Sequence, residues 1–144
     1  EDCRTSDDKI FAIGDCTYSK DLFYEKFLRI ESVHNAITQS KIASAAIADQ
    51  NRPNYETPWF WTNQYDLRIF FTGISNNYDE KITIGSIEKE SFSICYFNNQ
   101  RLIAVDSINR NRDYMQAKKI ISNGSHRNKE LLDLEHISLK DMFF

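Results

Sequence analysis

The chain has 144 residues, with 18 Lys and Arg against 21 Asp and Glu for a formal net charge of −3, 41% hydrophobic and 27% charged. This balance is too apolar for a disordered tail, and it lacks the basic excess that bulk nucleic-acid binding needs. No apolar run is long enough to span a bilayer, so neither a nucleic-acid nor a membrane partner is expected and a soluble chain is the default.

In chain order, residues 9–13 (KIFAI) form a short apolar, β-prone run ending at Gly14-Asp15, the pattern of a buried strand stopped by a turn. Residues 22–30 read as extended segments able to pair. The clearest helix covers residues 31–49. Ser32 supplies its cap, and Val33, Ala36, Ile37, Ser40, Ala43, Ala46 and Ile47 recur at steps of three and four. It has to end before Pro53, because proline disfavours helical geometry at the residue before it. Residues 51–58 are polar and hold both prolines, which places the domain boundary there. Beyond it, residues 67–72, 81–87, 92–97 and 102–106 are enriched in β-branched, aromatic and apolar side chains. Asn76-Asn77 marks a turn, and Asn98-Asn99-Gln100 joins the last two runs as an antiparallel hairpin. Residues 112–122 read as a helix with an apolar stripe and a basic face, stopped by Asn123-Gly124. Residues 131–134 and 139–144 read as short pieces packing apolar side chains back on the body.

Four glycines are spaced at least twelve residues apart, so no glycine-rich phosphate cradle can be written from this chain alone. Three cysteines fit neither a redox pair nor a zinc site and read as reduced thiols of a cytoplasmic protein. Three scattered histidines give no metal spacing, and no nucleophilic triad order stands out, so neither a metal site nor a catalytic side chain is assigned.

Four runs carry a family resemblance. They are residues 3–6 (CRTS) with 10–16 (IFAIGDC), residues 29–36 (RIESVHNA), residues 58–67 (PWFWTNQYDL), and residues 91–93 (SFS) with 102–110 (LIAVDSINR). Their order and spacing resemble the C-terminal third of the FAD-dependent NAD(P)H:ferredoxin reductases, of the putidaredoxin and rubredoxin type. The resemblance implies an α+β chain. Residues 1–52 would be a returning segment of the FAD-binding domain (strand and helix). Residues 58–144 would be a C-terminal interface domain with an antiparallel sheet of four to five strands and flanking helices. The activity it implies is electron transfer from NAD(P)H through FAD to a ferredoxin-like iron–sulfur protein, with NAD(P)H bound by a domain outside this chain. The opening at Glu1, without an initiator Met, reads as a fragment of something longer, expected to be inactive and to retain no FAD by itself.

The resemblance also implies site residues. Gly14 would leave room for the cofactor chain, and the Asp15 carboxylate would accept from a ribityl hydroxyl; Asp15 otherwise reads as a turn-former or helix cap. The backbones of Val33 and His34 would bring a helix N-terminus to the flavin's pyrimidine edge. His34 stands where many relatives carry Trp or another residue; its side chain would titrate near the flavin, against the alternative of a solvated or packed histidine. Trp61 would lie beside the flavin, whereas Trp59 reads as core, and Asn63, Gln64 and Asp66 would hold their loop by hydrogen bonds. Arg29, Lys41, Arg68, Arg110, Lys118 and Lys119 are candidates for steering an acidic partner, against the alternative of a solvated charged face. The competing reading is a free-standing α+β interaction module, able to form a homodimer, without catalysis.

Overall fold

The computed structural model describes residues 2–54, 56–127 and 135–143 and divides into two units, Glu1–Pro58 and Trp59–Phe144.

In the first unit the 9–13 run does not form a strand. Phe11 makes one antiparallel bridge to Arg4, and Ile10 and Ile13 stay exposed. A strand needs a ladder along at least one flank, and this run meets the short 3–5 segment through Thr5 N to Ile10 O and Ala12 N to Cys3 O, each 2.9 Å. Gly14–Cys16 then form a 3₁₀ turn. A small hairpin follows, β1 (Ser19–Asp21) against β2 (Lys26–Leu28). Its turn is closed by the Asp21 carboxylate, which accepts from Phe23 N at 2.9 Å and Tyr24 N at 3.0 Å.

Helix α1 covers Val33–Ile47. Ser32 caps it as the sequence predicts, its Oγ accepting from Asn35 N at 3.1 Å, and Asp49 at φ 54° leaves the helix before Pro53. The buried face departs from the predicted stripe: Gln39, Ile42, Ala43 and Ala45 point inward, while Val33, Ile37 and Ile47 are exposed.

The second unit is a five-stranded antiparallel sheet in the order β3-β4-β7-β6-β5. Its strands are β3 (Trp59–Gln64), β4 (Leu67–Gly73), β5 (Glu80–Ser86), β6 (Ser91–Asn98) and β7 (Arg101–Ile108). Four of them fall on the predicted runs. The fifth, β3, takes in Asn63 and Gln64, expected in a loop with Asp66: Trp59–Gln64 pair in full register with β4 from Thr72 back to Leu67. Asn99 and Gln100 both hold positive φ, 48° and 63°, the geometry that matches a two-residue hairpin loop to strand twist. The central strand β7 buries Leu102, Ile103, Ala104 and Val105.

Helix α2 (Asn111–Ser122) packs on β7 and β4, burying Tyr114, Ala117, Ile120 and Ile121. Gly124, at φ 64°, ends this helical segment as expected, its N–H donating to Ile121 O. A terminal 3₁₀ turn, Leu139–Met142, buries Leu139 and Met142, and Phe143 lies parallel to Phe97 at 6.4 Å. The predicted piece at 131–134 and the last residue, Phe144, lie outside the described residues.

Candidate functional site

In the first unit four of the predicted residues gather around the start of α1. Gly14 sits at φ +77°, where an L side chain is strained, yet a Cβ built there would lie an ordinary 3.6 Å from Ala36 Cβ. Glycine is therefore required by backbone conformation rather than by crowding. Its N–H is already committed, donating to Gln39 Oε1 at 2.7 Å. The Thr17 hydroxyl lies 2.8 Å from Gly14 O and 3.1 Å from the same Gln39 oxygen, and Gln39 Nε2 donates to Ser19 Oγ at 3.2 Å. Gln39, 7% exposed, thus fastens the turn to the helix. Sequence reasoning missed it because a Gln inside a helix, here flanked by Thr38 and Ser40, normally reads as solvated; its place on one helix face with Ala36, Ile42 and Ala43 was the available signal.

That bracing leaves the Asp15 carboxylate exposed on a fixed turn, able to accept from hydroxyl groups. Val33, the first residue of α1, is 59% exposed. The first turn of a helix has N–H groups without intrahelical acceptors and a positive dipole end, so it favours negative charge nearby. The His34 ring faces a different task. Its Nε2 lies 3.0 Å from Glu56 Oε2 with the side chain only 10% exposed, along a cleft lined also by Leu28, Asn35, Thr38 and Pro53. The ring therefore ties Glu56 to α1, and what His34 offers at the helix start is its backbone.

Trp61 belongs to the second unit. Alternation along β3 puts it on the same sheet face as Trp59, with ring centroids 5.3 Å apart. Trp59 continues to Tyr114 at 5.4 Å, and Tyr114 stacks on Phe70 at 4.4 Å and 18°. Burial raises the Tyr114 phenol above its ordinary pKa. The row thus runs from the interior to an exposed edge, where Trp61 is 42% exposed. Trp59 is half-buried, and Lys118 Nζ lies 4.9 Å from its ring centroid. On the opposite sheet face Phe60 and Phe71 stack at 6.0 Å, both exposed. Asp106 accepts from Tyr96 Oη at 2.8 Å there, and burial raises its carboxyl pKa.

The predicted docking cations separate. Arg110 is withdrawn: its Nε pairs with Asp113 at 2.5 Å, its side chain is 17% exposed, and Nη2 donates to Ile137 O at 2.7 Å. Arg29 pairs with Glu31 at 2.8 Å in the open. Lys41 and Arg68 are exposed.

Comparison with known proteins places this architecture. The model of the family described as Reductase C-terminal matches residues 59–143. Putidaredoxin reductase of Pseudomonas putida is 35% identical over 142 residues, 99% of this chain and 34% of that protein. The 5,5'-dehydrodivanillate O-demethylase ferredoxin reductase subunit of Sphingobium sp. is 35% identical over 143 residues, 99% of this chain and 35% of that protein. The crystal structure of the covalent putidaredoxin reductase–putidaredoxin complex superposes with a TM-score of 0.86 at 35% identity, covering 89% of this chain and 31% of that one. The chain thus spans about a third of the length of the relatives it matches. With its α+β architecture, five-stranded antiparallel sheet and match over residues 59–143, the chain belongs to the Reductase C-terminal family.

Proposed function

We propose that this chain works as the C-terminal part of an FAD-dependent NAD(P)H:ferredoxin reductase. On this reading residues 1–52 complete the FAD-binding domain and residues 58–144 form the interface domain. When bound, FAD supplies hydride acceptance from NAD(P)H and release of single electrons. Asp15 accepts from the cofactor's hydroxyl chain, on a turn whose conformation Gly14 permits and Gln39 holds. The backbones of Val33 and His34 present the positive end of α1 to charge that gathers on the reduced ring. Trp61 walls the ring from water and borders the exit toward an acidic ferredoxin-like iron–sulfur protein, whose approach Lys118 and the exposed Lys41 and Arg68 favour electrostatically.

The observation that carries this reading is the braced Gly14-Asp15 turn. A buried Gln spends three hydrogen bonds holding it against α1, yet leaves the one carboxylate of the turn exposed. The test uses the product of the complete gene. Trp61→Ala is expected to retain FAD and lower the rate of iron–sulfur acceptor reduction about tenfold or more, roughly 1.4 kcal/mol in the barrier, with Trp61→Phe intermediate. An unchanged rate in Trp61→Ala would remove Trp61 from the site. The chain by itself is expected to be inactive, and after mixing with FAD and gel filtration it should carry no stoichiometric flavin absorbance, because its four widely spaced glycines write no phosphate cradle. A yellow, stoichiometric complex would overturn that expectation.

The second reading, an interaction module able to form a homodimer, is favoured by the exposed Phe60 and Phe71 pair and by the open Val33, Ile37 and Ile47 side chains. It differs in requiring no flavin in the complete gene product.

A further inference from the structure

Trp61 stands on the edge strand β3, which is hydrogen-bonded along one flank. Its ring is 42% exposed, and an indole so placed keeps several rotamers open unless neighbours remove them. The neighbour on its own face is Trp59, with centroids 5.3 Å apart and planes at 33°. Trp59 is in turn held from the helix: Tyr114, 8% exposed, lies 5.4 Å away at 55°. Lys118, one helical turn beyond Tyr114, places Nζ 4.9 Å from the Trp59 centroid and 5.7 Å from that of Tyr114. A cation over an indole face is attracted by the ring's quadrupole, most strongly where water is partly excluded. Tyr114 itself is fixed by stacking on Phe70 at 4.4 Å.

We propose that Trp59 and Lys118 are positioning residues for Trp61: α2 clamps Trp59 from one side with Lys118 and Tyr114 together, and the clamped indole fixes the plane of Trp61. The inference deepens the reading above and rests on its placement of Trp61 beside the flavin. It gives Lys118 a role distinct from attracting an acidic partner, because a ring displaced by about 1 Å at a reacting centre can cost orders of magnitude in rate.

The two tryptophans of the chain are the clamped pair, so their mutual orientation can be read in the chain as it stands. Two indoles this close couple as excitons and give a paired positive and negative circular-dichroism band in the indole region. Lys118→Met keeps the apolar stem and removes the charge. It is expected to reduce the couplet about twofold or more while the thermal midpoint of the sheet unit stays put, and Lys118→Arg, which keeps the cation, should retain it. With 5-fluorotryptophan incorporated, the Trp61 ¹⁹F resonance should move toward its solvent-exposed position in Lys118→Met. If Lys118→Met unfolds, Lys118→Gln takes its place with the same expected loss. Equal couplets in wild type and the charge-free variant overturn the clamp, whatever the flavin role of Trp61. Normal turnover by the complete Trp61→Ala enzyme removes that flavin role and leaves the couplet result standing.

Discussion

Replacing Asp113 by Ala is expected to destabilise the sheet unit by about 3–5 kcal/mol, enough to unfold it at ambient temperature if its stability is ordinary. Asp113 is 1% exposed, and both carboxylate oxygens are used. Oδ2 pairs with Arg110 Nε at 2.5 Å and accepts from Ser93 Oγ at 2.9 Å, and Oδ1 accepts from Leu139 N at 3.3 Å. Ser93 also meets the Ser107 hydroxyl at 3.2 Å. Without the carboxylate, a largely buried guanidinium loses its counter-charge, while the Ser93 hydroxyl and the Leu139 N–H lose an acceptor. Such orphaned groups, rather than the net worth of the pair, set the cost. The arginine is also held at its far end, where Nη2 donates to Ile137 O at 2.7 Å. Urea unfolding followed by circular dichroism measures the loss, and hydrogen exchange at Leu139 should rise with it. A loss below about 1 kcal/mol would mean that the pair is worth no more than a surface contact. Asp113→Asn, which keeps one oxygen acceptor but neither the second nor the charge, should fall between.

The second large effect lies at the candidate site. Gln39→Ala is expected to cost about 1–3 kcal/mol, the penalty for a buried donor left unmade, and to release the Gly14–Cys16 turn from α1. The donor is Gly14 N, whose acceptor is Gln39 Oε1 at 2.7 Å, and Thr17 and Ser19 lose the same side chain. Because the damage is local, amide exchange should accelerate through residues 14–19 while the sheet unit exchanges as before. In the complete gene product the same substitution should weaken FAD retention, because the carboxylate of Asp15 would no longer be held on a fixed turn. Unchanged exchange at Gly14 would show that the turn holds itself and that Gln39 is incidental.

These two residues mark the difference between patterns that act locally and partnerships that act at a distance. Ser32 as the cap of α1, the halt before Pro53, the Asn99-Gln100 hairpin and the stop at Gly124 each involve chain neighbours, and each appears where the residue chemistry puts it. Four of the five sheet strands were likewise legible, since β-branched and aromatic runs between turns carry their own signal. Trp59–Gln64 was not: Trp-Phe-Trp followed by Thr-Asn-Gln shows no apolar–polar alternation, because this edge strand carries aromatic rings on both faces. The stripe on α1 misled for a related reason. Periodicity shows which side chains share a face, and Val33, Ile37 and Ile47 do share one, but that face stays open. The helix is instead gripped on the side of Gln39, Ile42 and Ala43, where the turn at Gly14 arrives.

At the site, sequence alone determined which residue types stand at the turn and at the start of α1, since Gly14 and Asp15 are neighbours in the chain and the cap Ser32 directly precedes Val33. It also fixed the order of runs that identifies the reductase family. Only the tertiary structure decided that Gln39 braces Gly14 from 25 positions away, that Arg110 donates to the distant Ile137 carbonyl and Asp113 accepts from Leu139 N, which turns the arginine away from a partner, and that α2 lays Lys118 over Trp59. Each is a pairing of polar or aromatic groups across separate elements. The free energy of such a pair depends on burial and on distances of a few ångströms, which no period along the chain encodes.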